Sequence, residues 1–405
     1  MELINKLPKE EERAGKKILG FNRNIFFVGI TSFLTDTATK MIYAIMPLFL
    51  MTLGATKTEI SLIEGIAEST ASVIKALSGW WSDKIRKNKP FMMIGYGFTA
   101  LLSPLFAFVA APFQVLIIRF CERVGKGIRT APRDSLIAAS SETGIKGKNF
   151  GFHKAMDNCG AIVGPLLSTV ILLLYPGNYR LVFILAAIPG LLGLISIIGF
   201  VKEAKTVKIA PLGKISWRDF PLNYYIFLAI IFIFTLGNST DALLLVKAGD
   251  IGFEAAFIPI VYLIYYAVSV LFSVPAGILS DKIGRSKVII FGYLMYAAIY
   301  FGFGSTHNKG VMVMLFALYG LYSAATDGVQ KALVSDLVSE DKRGTGLGIY
   351  NSLLGMTLLP ASVIAGLLYD KVNNSAPFYY GAAMALAAAF LMIFFYHYQQ
   401  GPNPN

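Results

Sequence analysis

Long apolar runs constrain this chain more than any other feature. A bilayer-spanning helix needs about 20 predominantly apolar residues. The sequence holds roughly twelve such runs, at about 24–50, 56–80, 90–112, 114–138, 150–175, 180–201, 223–247, 255–279, 288–305, 311–336, 345–369 and 377–399. Hydrophobic residues make up 55% of the 405 and charged residues 15%, whereas a soluble domain carries about 25% charge. Hydrocarbon leaves no water for unpaired backbone groups, and a helix satisfies its own. The expected fold class is an all-α membrane protein with twelve transmembrane helices.

The net charge of +12 would suit a polyanion if it were spread over one surface, but it is sorted by loop. Lys and Arg cluster at Lys6–Arg23, Lys84–Lys89, Lys146 and Lys148, Lys202–Arg218, Lys282–Lys287, and Lys342 with Arg343. The alternate loops offer little beyond Lys57, Arg180, Lys309 and Lys371. This asymmetry places both termini in the cytoplasm and makes the lipid bilayer, not nucleic acid, the partner. The first 20 residues lack a signal-peptide apolar core. Cys121 and Cys159 fall inside predicted spans without metal-ligand spacing, which suits packing residues.

The largest hydrophilic interval, Lys202 to Asn223, divides the chain into halves of six spans. The expected organisation is a cytoplasmic segment 1–23, a bundle 24–201, a linker 202–222, a second bundle 223–399 and a tail 400–405. Internal echoes support two halves. Gly79-Trp-Trp-Ser-Asp83-Lys84-Ile-Arg86-Lys87 follows the second span, and Gly277-Ile-Leu-Ser-Asp281-Lys282-Ile-Gly284-Arg285 follows the eighth. Thr35-Asp36 pairs with Thr240-Asp241, and Ser141-Glu142 with Ser339-Glu340. A carboxylate such as Asp83 or Asp281 suits a neighbouring helix N-terminus. Together with Lys84, Lys282 and Arg285 it would form a cytoplasmic gate that exists only when that side is closed.

These features resemble the major facilitator superfamily over essentially the whole chain, and the doubled loop resembles its motif A. The first copy carries Arg86 where the family usually has glycine. The resemblance implies two pseudo-symmetric six-helix bundles rocking about a central site lined by spans 1, 4, 7 and 10. Gly151, Gly160, Gly164 and Pro165 resemble motif C of facilitator antiporters, with Ser168 and Thr169 in place of its closing glycines. Small residues allow close helix approach, and Pro165 permits a bend. Segments around Thr35-Asp36, Glu64-Gly-Ile-Ala-Glu68, Gly125–Asp134 and Gly151–Asp157 resemble a poorly characterised prokaryotic branch associated with nickel-resistance permeases. That pattern has an acid where Lys40 stands.

The fourth span carries Arg119, Glu122, Lys126, Arg129 and Arg133, spaced 3, 4, 3 and 4 residues apart, with Arg123 at the edge. On a helix they form one stripe. Charge there must be paired or face water. The cations outnumber Glu122, so one remains for an anionic ligand unless carboxylates from the second span take it. Asp36, Lys40, Asp241, Asp327 and Lys331 complete the expected substrate cavity. Asp36 and Lys40, four apart, also read as a self-satisfied pair. Glu64 and Glu68 share a face in the second span. Mutual repulsion and lost hydration would favour a proton on one of them. His153 and Asp157 repeat the spacing in the fifth span. These four are the proton-coupling candidates.

No GxSxG, HExxH or P-loop appears, and there are 3 histidines. The expectation is not an enzyme but a monomeric secondary transporter in the cytoplasmic membrane of a prokaryote. It needs no cofactor and no catalytic or metal site, and its partners are a small-molecule or ion substrate and protons. Proton-coupled efflux leads. The alternatives are an organic-anion importer, a divalent-metal exporter and a non-transporting sensor, the last expected to carry a signalling domain.

Overall fold

Two of the predicted spans are broken, and the breaks lie at corresponding places in the two halves. The first span consists of α1 (Arg23–Tyr43) and α2 (Met46–Thr52). Pro47 sits in the first turn of α2; it lacks an N–H and cannot continue the preceding helix. The seventh span consists of α8 (Leu222–Gly237) and α9 (Ala242–Asp250). The computed structural model describes residues 17–85, 87–141, 146–203, 220–238, 240–339 and 342–400. Expectations for 1–16, most of the linker, the tail, Arg86, Glu142 and Glu340 lie outside the described residues, as do those for Gly79 and the side chains of Asp83 and Lys84.

The other ten passes are single helices. They are α3 (Lys57–Ile85), α4 (Lys89–Leu102, continued by a 3-10 turn Ser103–Phe108), α5 (Pro112–Ala139), α6 (Lys146–Leu174) and α7 (Tyr179–Phe200). In the second half they are α10 (Ile258–Ile283), α11 (Arg285–Ser305), α12 (Lys309–Leu337), α13 (Arg343–Lys371) and α14 (Ala376–Gln400). Before α1, Lys17–Ile18 and Phe21–Asn22 pair as a small antiparallel ladder. Side chains end the helices: Asn22 accepts from the Asn24 N–H at 2.9 Å and Asn178 from that of Leu181 at 3.1 Å. Gly284, at φ +100°, makes the turn between α10 and α11, a conformation that favours glycine.

Among the described residues, 10 passes are long and apolar enough to cross a membrane. The exceptions, α3 and α5, have 29 and 28 residues. Length suffices, since about 1.5 Å per residue exceeds a core of about 30 Å; their charges disqualify them on composition. They pack against each other. The N-terminal half is completed by α1 against α6 and α7 and by α4 against α5 and α7. In the second half α10 packs on α12, and α11 and α8 on α14.

Two seams join the halves, α3 against α13 and α6 against α10. Exchanging the halves turns one seam into the other, as a pseudo-two-fold requires. The first seam is tight because glycines meet serines. A Cβ on Gly355 would lie 2.3 Å from that of Ser72, and one on Gly65 would lie 2.9 Å from that of Ser362.

The two ends of the bundle differ. At the end away from the basic loops, α2 and α9 pack together with Leu48, Phe49, Leu50, Leu243, Leu244 and Leu245 all buried. There Asp370 of α13 caps α3 across the halves. It accepts from the backbone N–H of Thr58 at 2.7 Å and of Lys57 at 3.2 Å, and from the Thr58 hydroxyl at 2.6 Å. At the basic end, the second repeat makes no gate contact across the halves among the described residues. Asp281 is exposed and meets Arg285 of its own half at 3.5 Å. Arg285 also pairs with Asp336 of the same half. Lys282 is exposed and Gly277 faces open space. These contacts need the basic end closed, and here the closure is at the other end.

The glycine-proline segment of α6 packs on α1 only in part. A Cβ on Gly160 would meet the Phe33 carbonyl at 2.5 Å, and one on Gly164 the Thr37 carbonyl at 2.6 Å. Gly151, expected to join them, has nothing within 4 Å. Gly160→Ala should therefore destabilise by about 1–3 kcal/mol through overpacking. Gly151→Ala should be neutral or stabilising by up to about 1 kcal/mol from helix propensity. Melting temperatures of the two variants in one detergent check the contrast.

Candidate functional site

The charged stripe of α5 divides between two environments. Its first part faces α3. Arg119, 0% exposed, donates from Nε and Nη2 to Glu64 at 2.9 and 3.0 Å and from Nη1 to Glu122 at 2.8 Å. One turn on, Arg123 Nη1 lies 2.9 Å from Glu68, and its Nη2 lies 4.0 Å from Glu64. Lys126 approaches Glu68 at 3.9 Å. Three acids thus meet three bases. The second-span carboxylates take Arg119 and Arg123, one of the two arrangements that the sequence left open, and reach Lys126 only at 3.9 Å.

This corrects two expectations. Glu64 and Glu68 do not confront each other; each faces a guanidinium. Glu64 is 1% exposed and fixed, while Glu68 is 34% exposed. Arg119 is not a cavity residue; it sits inside the α3–α5 contact, its guanidinium 5.4 Å from the Tyr43 ring centre. The helices come close enough for this because Gly127 abuts Ile74 and its carbonyl accepts from Ser78 at 2.9 Å.

The second part of the stripe faces a cavity of about 540 Å³ between the halves. Lys126, Arg129 and Arg133 line it, with Glu122, Arg123 and Glu68. Arg129 is buried, with Thr99 Oγ1 at 2.5 Å and the Tyr96 ring centre at 4.4 Å, and it has no carboxylate within 4 Å among the described residues. Arg133 pairs with Asp134 at 2.9 Å. From α1 come Asp36 and Lys40, and from α6 Lys154 and Asp157. The expected Asp36–Lys40 pair is not formed. Lys40 reaches across the halves to the Tyr266 hydroxyl instead, its ammonium 4.4 Å from that ring centre.

The C-terminal wall is built from tyrosines and two acids. Asp241, in the break between α8 and α9, accepts from Tyr319 at 3.0 Å and Tyr262 at 3.2 Å. Tyr262 and Tyr266 are 3.2 Å apart at their hydroxyls. A hydrogen-bonded path therefore runs from Lys40 through Tyr266 and Tyr262 to Asp241. Asp327 accepts from Ser323 at 2.7 Å. Lys331, expected beside it, is exposed and lies outside the cavity, one helical turn further towards the basic end. On the opposite, N-terminal side, His153 is buried and is not among the lining residues; its Nε2 is 2.6 Å from Ser32 Oγ, and its Nδ1 is 3.6 Å from Asp157.

Sequence reasoning missed the tyrosines. Tyr262, Tyr265 and Tyr266 on α10, and Tyr319 with Tyr322 on α12, stand at helical spacing beside Ser323 and Asp327. A search for polar-aromatic stripes would have found them. It also missed Asp370 and Lys247. The latter is 0% exposed within α9, its Nζ without a hydrogen-bond partner among the described residues and 6.0 Å from the Phe378 ring centre. A single lysine near a helix end carries no signal by itself.

A sequence description of the Major Facilitator Superfamily matches residues 28–246 and 226–405. The chain belongs to that family. An uncharacterised transporter of this superfamily from Methanocaldococcus jannaschii is 36% identical over 380 residues, covering 92% of this chain and 95% of the relative. The quinolone resistance protein NorA of Staphylococcus aureus is 23% identical over 383 residues, covering 92% and 96%. The fold is shared with a peptide transporter solved with sulfate, at TM-score 0.78, 13% identity and 98% of each chain. It is shared too with a bacterial homologue of the lysosomal transporter Spinster, at TM-score 0.74 and 12% identity over 94% of this chain and 98% of that one. Membership in this transporter family accounts for the missing catalytic constellation. The association with nickel-resistance permeases finds no counterpart among these relatives.

Removing Arg119 would strand two buried carboxylates. Arg119→Leu should cost about 3–5 kcal/mol and lower expression and melting temperature. The triple change Arg119→Leu, Glu64→Gln, Glu122→Gln should recover most of that loss, because no unpaired charge remains. Equal melting temperatures for the single and triple variants would show that the ladder is not the cause.

Proposed function

We propose that this member of the superfamily exports a small solute across the cytoplasmic membrane of a prokaryote by alternating access, in exchange for protons, as a monomer. The observation that carries the reading is the cavity between the halves, shut at one end by the apolar contact of α2 with α9. A solute can leave past that contact only if the halves move relative to one another. The charge of the basic loops supports an open end on the cytoplasmic side. Export is favoured by the glycine contacts of α6 on α1 and by a relative named for quinolone resistance. Residues 24–201 and 223–399 act as the moving bundles and 202–222 as their linker.

Glu68 is the coupling acid. It lines the cavity, is partly exposed, and shares its charge with Arg123 and Lys126. Protonation of Glu68 would release both cations towards the cavity, and deprotonation would recapture them. Proton and solute binding are then linked through the same groups, and the linkage is reciprocal. Asp157 is the second candidate, with a buried Oδ1 that has no hydrogen-bond partner among the described residues and with His153 beside it. Glu64 stays within the ladder. Organic-anion import would use the same cavity, and the direction of movement separates the two. A metal exporter has less support: among the described residues no three of His, Cys, Asp and Glu converge as ligands.

Two measurements test the mechanism. In a background without Cys121 and Cys159, Leu244→Cys should react slowly with a membrane-impermeant maleimide added outside, because Leu244 is buried in the seal. Adding Asp370→Ala removes the cross-half cap, a group of about 0.5–2 kcal/mol. Labelling should then speed up severalfold, whereas an unchanged rate would mean that the cap does not hold the outer side shut. In proteoliposomes, Glu68→Gln should retain solute exchange at equal pH and lose acceleration by a pH gradient. Gradient-driven movement as fast as in the wild type would remove Glu68 from coupling.

A further inference from the structure

We infer that the cavity takes a zwitterionic solute, its anionic group held by the cations of the N-terminal half and its ammonium by Asp241 and Asp327 among the tyrosines. The inference rests on the transport reading and names the substrate class of that site.

The charges lining the cavity are balanced in number but unequally divided: the N-terminal wall carries six cations and four acids, and the C-terminal wall two acids. Six cations and six acids face it. All the cations, Lys40, Arg123, Lys126, Arg129, Arg133 and Lys154, come from the N-terminal half. Among the described residues the C-terminal half supplies no cation to the lining; it gives Asp241, Asp327 and five tyrosines. Several of these groups lack a close counter-ion. Among the described residues, Lys40 bonds only to a phenol, Lys126 is 45% exposed with its nearest acid at 3.9 Å, and Arg129 rests on Thr99 and Tyr96. Opposite them, Asp241 holds two tyrosine hydroxyls and Asp327 one serine hydroxyl. Each carboxylate has about four lone-pair sites, so both can accept further N–H groups.

Alternating access requires an occluded state, and occlusion removes water from whatever charge is left unpaired. A buried unpaired ion costs several kcal/mol. A monoanion would satisfy the N-terminal wall and leave the two C-terminal acids without a cation. A monocation would do the reverse, facing six positive groups. A solute of net charge zero, with its charges apart, meets both walls and leaves the closed cavity neutral. The tyrosines suit an ammonium by cation–π attraction and give a ring a surface to stack on. The volume lies within the range of about 300–1,000 Å³ usual for small ligands, so amino acids and dipeptides are the sizes to try.

The test uses matched trios that differ only in charge, on the purified full chain in detergent by calorimetry. One trio is phenylalanine, phenethylamine and 3-phenylpropionate. The other is alanyl-phenylalanine, its C-terminal amide and its N-acetyl derivative. In at least one trio the zwitterion should bind tenfold or more tighter than both partners. Asp241→Asn and Asp327→Asn should each reduce its advantage over the acid, and Lys126→Ala its advantage over the amine, with melting temperatures reporting that the variants are folded. A singly charged member that binds as tightly as the zwitterion overturns the inference, and so does a failure of both trios to bind. Counterflow in proteoliposomes separates this from the transport reading. A charged analogue that binds and is moved sinks the zwitterion and keeps transport. A zwitterion that binds and is never moved keeps the class and sinks transport.

Discussion

Charge inside hydrocarbon must be paired, and in this protein that requirement is met chiefly between α3 and α5. Two guanidinium groups lie among three carboxylates, with Arg119 fully enclosed. Neither helix would be a favourable span alone. Together they are, because each supplies the counter-ions of the other. Such a network is poor evidence of stability relative to apolar packing, since desolvation offsets most of the attraction. What it does supply is orientation. With Glu64 and Glu68 holding Arg119 and Arg123, the rotation of α5 is set, and the same stripe carries Lys126, still 3.9 Å from Glu68, and then Arg129 and Arg133 along the cavity. The ladder therefore aims the cavity's cations.

The fold was legible because the physics that dictates it is local. Apolar length defines a span, and loop charge sorts its ends. The repeat Ser-Asp-Lys-Ile announces two halves, and the structure has them. The breaks in the first and seventh spans were less visible: Pro47 signals one of them, while nothing as strong stands at Asn238–Asp241. The site was legible by residue type but not by partner. Asp36, Lys40, Glu68, Lys126 and Asp241 were singled out, and all line the cavity. Spacing on one helix suggested that Asp36 would hold Lys40 and that Glu64 would repel Glu68. Both inferences failed for the same reason. A partner on another helix, Tyr266 in one case and the arginines of α5 in the other, competes with the neighbour four residues away, and one sequence does not say which helices touch. Lys331 failed by a single turn, enough to move it from the cavity to the surface.

The two halves contribute unlike chemistry to one cavity, and this follows from where their charges are held. The N-terminal half can carry many ions because α3 and α5 neutralise each other. The C-terminal half has no equivalent ladder among the described residues and uses neutral hydroxyls to hold Asp241 and Asp327. Phenols solvate a carboxylate by donating to it, and they present an apolar ring to whatever else fills the space. The wall is thus polar enough to hold an acid and dry enough to be occluded.

A carrier must keep its two closed states within a few kcal/mol of each other, or one would never be populated. The contacts between the halves are placed accordingly. The α3–α13 seam packs closely where serines meet glycines, and it ends in the Asp370 cap. The other links are the α2–α9 plug at the same end and Lys40 with Tyr266 at the cavity. Opening the plug exposes leucines at an aqueous end, a cost that a second closure at the basic end must offset.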